Sequence, residues 1–357
     1  MDFNGNFDKS ISNLEKIIMS QPIDIKTKQS IPKISQTKFD KSLVLDNLEK
    51  HILSNWDTWG KFQQAWTNRA YKVFKDLDKY IVMIYLIRNY WQSLSDKFQY
   101  LSMDEFYDYD TIVIDKINLI QISNELNIPK ETIRRKVNEL QSENILKRDG
   151  KSIIFNKKGI DTQKPNDTIE LLSAFIEKKS NMLQGNEWFG ERLSKDQIKE
   201  FIKKYFTICW LRFFKMQIPF LTRHRNCFGD LETWIVWGNI ALSHQYHLSK
   251  AAQNNLISEP IGFHNYVKTV SELKVDRGIN ASSISDISTI PRATVIRKLK
   301  WLLKNESIRK NKSLEYQMRS KGKLNKTINN NFLINQNYVA EFLTDIFDLM
   351  KNSNFKI

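Results

Sequence analysis

The sequence predicts a mainly α fold built as two similar halves, and three observations predict it. The stretch SNELNIPKETIRRKVNEL, Ser123 to Leu140, returns with most of its apolar positions kept as SDISTIPRATVIRKLKWL, Ser285 to Leu302. Long aromatic-rich segments of helical period flank both copies, and β-type alternation is scarce. Similar blocks recur upstream and downstream in the same order, which marks an internal duplication.

Aligning Pro129 with Pro291 sets an offset of 162 residues, 291 minus 129. At that offset Ile122, Ser123, Ile128, Pro129, Thr132, Arg135, Lys136 and Leu140 match Ile284, Ser285, Ile290, Pro291, Thr294, Arg297, Lys298 and Leu302. Upstream, FKDLDKYIV from Phe74 parallels FGDLETWIV from Phe228 at an offset of 154, 230 minus 76, so about eight residues separate the two registers. Downstream, NDTIELLSAFIEKK from Asn166 faces NQNYVAEFLTDIFDLMK from Asn335, each a helix that closes its half.

Within the first motif, Ile133, Val137 and Leu140 share one helix face at spacings of four and three. Pro129 and Pro291 mark helix starts, because proline's missing N–H has no helical partner at the first position. Each helix is followed by a short apolar return, a basic turn and a β-type stretch, KRDGKSIIF in the first copy and KNKSLEYQM in the second. Helix, turn, helix and hairpin together make a winged helix-turn-helix. The expected fold is therefore tandem winged helix-turn-helix units with flanking long helices, an internal duplication that amounts to a pseudo-dimer.

Length agrees, since 357 residues exceed one compact core. Residues 1–40 read as a mobile tail interrupted by Pro22 and Pro32, with one short helix near Ile11 to Met19. Residues 41–190 form the first unit, with its motif at about 115–156, and residues 191–357 the second, with its motif at about 277–320. Gly185 and Gly190 make the joint. Capping-box spacing at Asp167 with Glu170, and at Ser194 with Gln197, places helix starts at about 168 and 195.

A composition 41% hydrophobic and 12% aromatic suits packed cores, and the net charge of +15 attracts polyanions. Nucleic acid and an anionic membrane are the partners that charge allows. The longest apolar runs, such as Tyr80 to Leu86 and Trp234 to Trp237, fall short of the roughly 18 residues of a spanning helix, and the polar start MDFNGNFDKS does not read as a signal peptide. Cys209 and Cys227 lack metal or redox spacing and read as free thiols of a reducing cytoplasm.

A helix-turn-helix places its second helix in the major groove, where exposed side chains read base edges and phosphates hold the register. On the first such helix the candidates are Lys130, Glu131, Thr132, Arg134, Arg135 and Lys136; on the second, Arg292, Thr294, Arg297 and Lys298, beside Ala293 and Ile296. Arg135 and Arg297 are the leading choices, because a planar guanidinium suits guanine and phosphate alike. Wing candidates are Lys147, Arg148 and Lys151, and Arg309, Lys310 and Lys312 with Arg319, Lys321 and Lys323 further on. The competing account is an ordinary solvated charged face.

The stretch ISNELNIPKETIRRKVNELQSENIL resembles the winged helix-turn-helix of bacterial transcription regulators of the MarR and DeoR-like kind, over about 40 residues in each copy. The resemblance implies a double-stranded DNA-binding regulator, usually acting as dimers on near-palindromic sites. Two departures stand out: Ile287 and Ser288 replace the expected core pattern around Leu126, and Ile296 replaces Arg134. Two non-identical readers favour an asymmetric site, carried by one pseudo-dimeric chain or by a homodimer. Alternatives are a tandem winged-helix replication initiator binding origin repeats, and a winged-helix protein-interaction module.

Other constellations carry less. His244 and His247 lie one helical turn apart without a third ligand, and Asp104, Glu105, Asp108 and Asp110 read as a connector. Trp56, Trp59, Trp66, Trp91, Trp210, Trp234 and Trp237 are expected in core or interface, with a pocket for a small-molecule effector as the other reading. Trp301, aligned with Glu139, is expected to pack on a neighbouring helix. Phosphate loops, dinucleotide fingerprints and nucleophile elbows are absent from the sequence, so neither an enzyme nor a cofactor is expected.

Overall fold

The structure, a computed structural model, describes residues 29–31, 39–162, 164–165, 167–183, 193–253, 260–272, 277–319 and 322–353. The expected helix near Ile11 to Met19, the joint at Gly185 and Gly190, and Lys321 lie outside the described residues.

The chain is mainly α with small antiparallel sheets. In order, the first part runs β1 (Gln29–Ser30), α1 (Lys41–Lys50), α2 (Ile52–Phe74), α3 (Leu77–Asp96), β2 (Gln99–Tyr100), α4 (Met103–Asp108) and β3 (Thr111–Ile114). Then come α5 (Leu119–Leu126), α6 (Lys130–Ser142), β4 (Leu146–Asp149), β5 (Ser152–Asn156), α7 (Lys157–Thr162) and α8 (Thr168–Met182). The rest is α9 (Lys195–Lys204), α10 (Phe206–Phe228), α11 (Leu231–Gln253), α12 (Phe263–Glu272), α13 (Ala281–Ser288), α14 (Arg292–Lys304), β6 (Ile308–Lys310), β7 (Tyr316–Met318) and α15 (Asn325–Asn352).

The starts of α1, α2 and α3 recur 154 residues later as those of α9, α10 and α11, and α5 and α6 recur 162 residues later as α13 and α14, with equal lengths. Capping explains several starts. Asp40 and Ser194 accept backbone N–H bonds at α1 and α9, and Ser194 with Gln197 forms a full capping box. Helix α8 does begin at Thr168, but Asp167 makes no side-chain cap bond there. Asp104 and Glu105 lie in the first turn of α4, where Glu105 closes a capping box with Ser102, and Asp108 ends the helix.

Packing is reciprocal between the halves. Helix α3 lies against α10 as α11 lies against α2, and α1 packs on α15 as α9 packs on α8. Each half's first helix thus covers the closing helix of the other. Aromatic side chains fill the centre, with the Trp66 ring centroid 4.8–6.5 Å from those of Trp210, Phe213 and Phe214. Among them Gln63 and Gln217, equivalent at the offset of 154, exchange two amide bonds of 2.8 Å, each donating to the other. A side chain can meet its own equivalent this way only near an axis that relates the halves. Both amides are buried and satisfied, as buried polar groups must be.

These contacts revise one alignment. Arg69 on α2 reaches the Thr168 hydroxyl at 3.3 Å, and Arg223 on α10 reaches the Asn335 amide oxygen at 3.0 Å. Trp59 packs on Phe175 as Phe213 packs on Phe342. Thr168 and Asn335 are therefore the equivalent pair, two residues from the register that matches Asn166 with Asn335.

Strand β5 lies between β3 and β4, all antiparallel. In the second half β6 pairs with β7, and Ile279 bridges Tyr316 where the third strand would lie. Within the segment expected as a mobile tail, β1 pairs with β2, and Phe39 is buried against Phe347 with its backbone N–H on Asp348. Both cysteines are free, and burial pushes Cys209 up to about 12 and Cys227 up to about 11. No helix among the described residues is long and apolar enough to cross a membrane.

The same ion pair ties helix to motif in both halves. Asp76 accepts the Lys79 N–H with Oδ1 at 2.9 Å, capping α3, and holds Lys136 with Oδ2 at 2.6 Å. Asp230 accepts the Thr233 N–H with Oδ1 at 2.7 Å, capping α11, and holds Lys298 with Oδ2. Burial works to raise both carboxyls, but the lysine bonds and the capping N–H groups outweigh it and leave each below the ordinary carboxylate range. Such groups contribute stability above the unfolded carboxylate pKa of about 3.9 that is lost as pH falls through the lower folded value. Asp76→Asn and Asp230→Asn keep the cap but remove the charge, and both carboxylates are about a third exposed, so each should cost about 1–2 kcal/mol. The cost should be larger for Asp230→Asn, because Lys136 retains Glu139 at 2.9 Å whereas Trp301 stands at that position in the second half. Denaturant unfolding at pH 7 and at pH 3 tests this: the difference between wild type and variant should shrink in acid.

Candidate nucleic-acid interface

The two helix-turn-helix segments are built alike. Asn118 caps α5 through Ile120 and Gln121, and Asn280 caps α13 through Ser283. Each first helix ends in a left-handed residue, Asn127 at φ 49° and Thr289 at φ 58°. Ser123 donates to the Ile128 carbonyl at 2.7 Å and Ser285 to the Ile290 carbonyl at the same distance, locking the turn. The second helix then starts after Pro129 or Pro291. Beneath them Ile122, Leu126, Ile128, Ile133, Val137 and Leu140 are buried, as are Ile284, Ile290, Val295, Leu299 and Leu302.

The departure at Ile287 and Ser288 has a physical resolution. Ser288 takes the buried place of Leu126, donating to the Ile284 carbonyl at 2.6 Å and accepting the Ile290 N–H at 3.3 Å, so no polar atom is stranded. Ile287 is exposed.

On α6, Lys130, Glu131, Arg134 and Arg135 face solvent and Thr132 is half-buried. On α14, Arg292 and Arg297 face solvent and Thr294 is half-buried, with exposed Lys300 and Lys304 extending the cationic face beyond the residues the motif suggested. Lys136 and Lys298 are corrections. Their side chains are 7% and 12% exposed and point to Asp76 and Asp230, so they position their helices and do not belong to the outer surface. The aspartates were missed as partners, although both occur at matched positions of FKDLDKYIV and FGDLETWIV. Trp301 is half-buried and packs against the core, as its alignment suggested.

The hairpins stand beside these helices. Gly150, at φ 55°, makes the turn between β4 and β5, and Lys147, Arg148 and Lys151 are exposed around it. Gln141 of α6 accepts the Arg148 N–H at 3.2 Å, fixing hairpin to helix. In the second hairpin Arg309, Lys310 and Lys312 are exposed, with Arg319 and Lys323 also exposed further on. Glu315 turns inward, accepting from Gly278 and Asn311, which hold its carboxyl low.

The halves differ in local electrostatics. Arg134 pairs with Glu131 at 2.6 Å, and Arg135, 66% exposed, lies 3.7 Å from Glu139. Helix α14 contains no acidic residue. Both surfaces can accept an anion through guanidinium forks. Among the described residues no three His, Cys, Asp or Glu side chains are grouped to hold a metal, and His244 and His247 gain no third ligand.

A β-branched residue in the left-handed region is strained, whereas asparagine tolerates it. Thr289→Asn, which installs the residue of the first motif, should stabilise the protein by about 1 kcal/mol in equilibrium unfolding while leaving the turn's hydrogen bonds intact. Compared with protein-family models, curated proteins and solved structures, the chain matches none.

Proposed function

We propose that the chain is a sequence-specific double-stranded DNA-binding regulator of transcription, a tandem winged helix-turn-helix pseudo-dimer whose α6 and α14 enter the major groove. The observation that carries this is positional. Arg135 and Arg297 occupy the same outward place on the two second helices, each beside a lysine turned inward onto an aspartate. The strand order β3, β5, β4, repeated with Ile279 in place of the third strand, suits a hairpin serving as wing. The net charge of +15 suits a polyanionic partner.

In this proposal Lys130, Arg134 and Arg135, and Arg292 and Arg297, face bases and phosphates, while Lys147, Arg148, Lys151, Lys310 and Lys312 hold the flanking backbone. Thr132 and Thr294 reach phosphate or a base edge from the start of each helix. Unequal readers select an asymmetric site, with half-sites about one helical turn, ~34 Å, apart.

Selection from a random duplex library followed by mobility shifts tests the proposal. Arg135→Ala and Arg297→Ala should each weaken the selected duplex by about 1–3 kcal/mol, and Lys147→Ala or Lys312→Ala should reduce the salt slope by about one without changing sequence preference. Unchanged affinity in a folded Arg135→Ala/Arg297→Ala variant overturns it. Mapping bound genomic sites then separates regulation, with sites at scattered promoters, from initiation, with repeated sites at one origin.

A further inference from the structure

A cavity of about 440 Å³ opens between α2, α10, α11, α12, α15 and the second hairpin. That volume falls in the range of small-molecule sites and far exceeds the voids left by ordinary packing. The equivalent place in the other half, lined by Trp66, Ala70, Tyr80, Thr168, Trp210 and Phe214, leaves only about 40 Å³, and the repeat shows why. Gly60, Gly238, Ala241 and Gln245 line it. At the offset of 154 the other half places Phe214, Ile84, Ile87 and Trp91 at these positions. There Trp91 stacks on Phe214, ring centroids 5.2 Å apart, and fills the equivalent space. The same skeleton is thus nearly filled in one half and hollow in the other. A Cβ at Gly238 would stand 1.7 Å from the Gln64 amide nitrogen, so enlarging that residue requires the Gln64 side chain to move.

The walls and polar groups indicate what fits. Trp59, Trp234 and Phe220 form one aromatic side, and Phe263 and Phe332, stacked at 4.9 Å and 11°, another. Trp237 is 4% exposed, lines the cavity, and its indole N–H has no acceptor. His244 lines it too, with both ring nitrogens buried and unpartnered. Burial pushes His244 and His224 down to about 4, so both rings are neutral at pH 7. A neutral imidazole offers one donor and one acceptor, and a buried indole donor left unpaired is costly.

We propose that this cavity binds one planar, predominantly apolar small molecule per chain, whose hydrogen-bond acceptor meets the Trp237 N–H and whose rings lie between the aromatic walls. The proposal does not depend on duplex binding and is tested without nucleic acid.

The probe is Nile red, a neutral fused-ring dye with a carbonyl acceptor, titrated into the full chain with stoichiometry read by calorimetry. One saturable site per chain with blue-shifted emission is expected. Ala241→Ile, which installs the residue of the filled half, should weaken binding at least ~10-fold with an unchanged or raised unfolding midpoint. Trp237→Phe keeps the ring and removes the donor, and should weaken binding about 5-fold, as the loss of one hydrogen bond does. It decides the matter if the first variant fails to fold. No saturable binding, two dye molecules per chain, or undiminished affinity in a folded variant overturns the proposal.

Discussion

One carboxylate fixes each helix-turn-helix to its long helix. Asp76 and Asp230 spend one oxygen on the orphan N–H groups at the start of α3 or α11 and the other on a lysine from the following motif. An ammonium at a helix N-terminus would otherwise be repelled by the positive end of the macrodipole, so the aspartate makes the approach possible. Successive helical residues are about 100° apart, and drawing Lys136 and Lys298 inward turns Arg135 and Arg297 outward. The outer surface is therefore set from beneath, by a buried charge that takes no part in it.

On this shared frame the halves have diverged in what fills them. Leu126 gives way to Ser288, Glu139 to Trp301, and Trp91 on Phe214 to Gln245 beside Gly60. Each exchange is locally compensated or leaves room. Ser288 satisfies its hydroxyl within the turn, Trp301 packs on the core, and the loss of two large rings opens the cavity. The frame tolerates this because its anchoring contacts lie elsewhere. The Gln63–Gln217 pair, the aspartate caps and the exchanged closing helices are untouched by these substitutions.

Much of the skeleton was legible in the sequence because it rests on local rules. Period, capping residues and the two prolines set helix starts at 130, 195 and 292, and the repeat set the offsets that the helices obey. The exchange of closing helices was not legible, since apolar faces attract without direction and α15 could have covered either α1 or α9 on pattern alone. Lys136 and Lys298 were misplaced for a related reason. A long cationic side chain on a helix flank can reach water or a buried carboxylate, and only the distance to Asp76 or Asp230 decides. The cavity arises from side chains absent at Gly60 and Gly238, and a missing side chain has no sequence period.

The remaining question is whether the acidic residues of α6 weaken that helix relative to α14. Arg134 pairs with Glu131 on the open surface, while Arg135 lies 3.7 Å from a Glu139 that Lys136 already holds, and such pairs are worth only about 0.2–1 kcal/mol. A bidentate contact to a guanine is worth about 1–3 kcal/mol, so releasing either arginine costs less than the contact returns. Glu139 stays paired with Lys136, but Glu131 would be left to face phosphate oxygens and add repulsion wherever Arg134 finds no partner. Helix α14, with no acidic residue, carries no such penalty for a wrong site. If the proposed duplex binding holds, helix α6 would discriminate and α14 would hold, and the replacement of Arg134 by Ile296 in the second motif removes a cation without making that helix acidic.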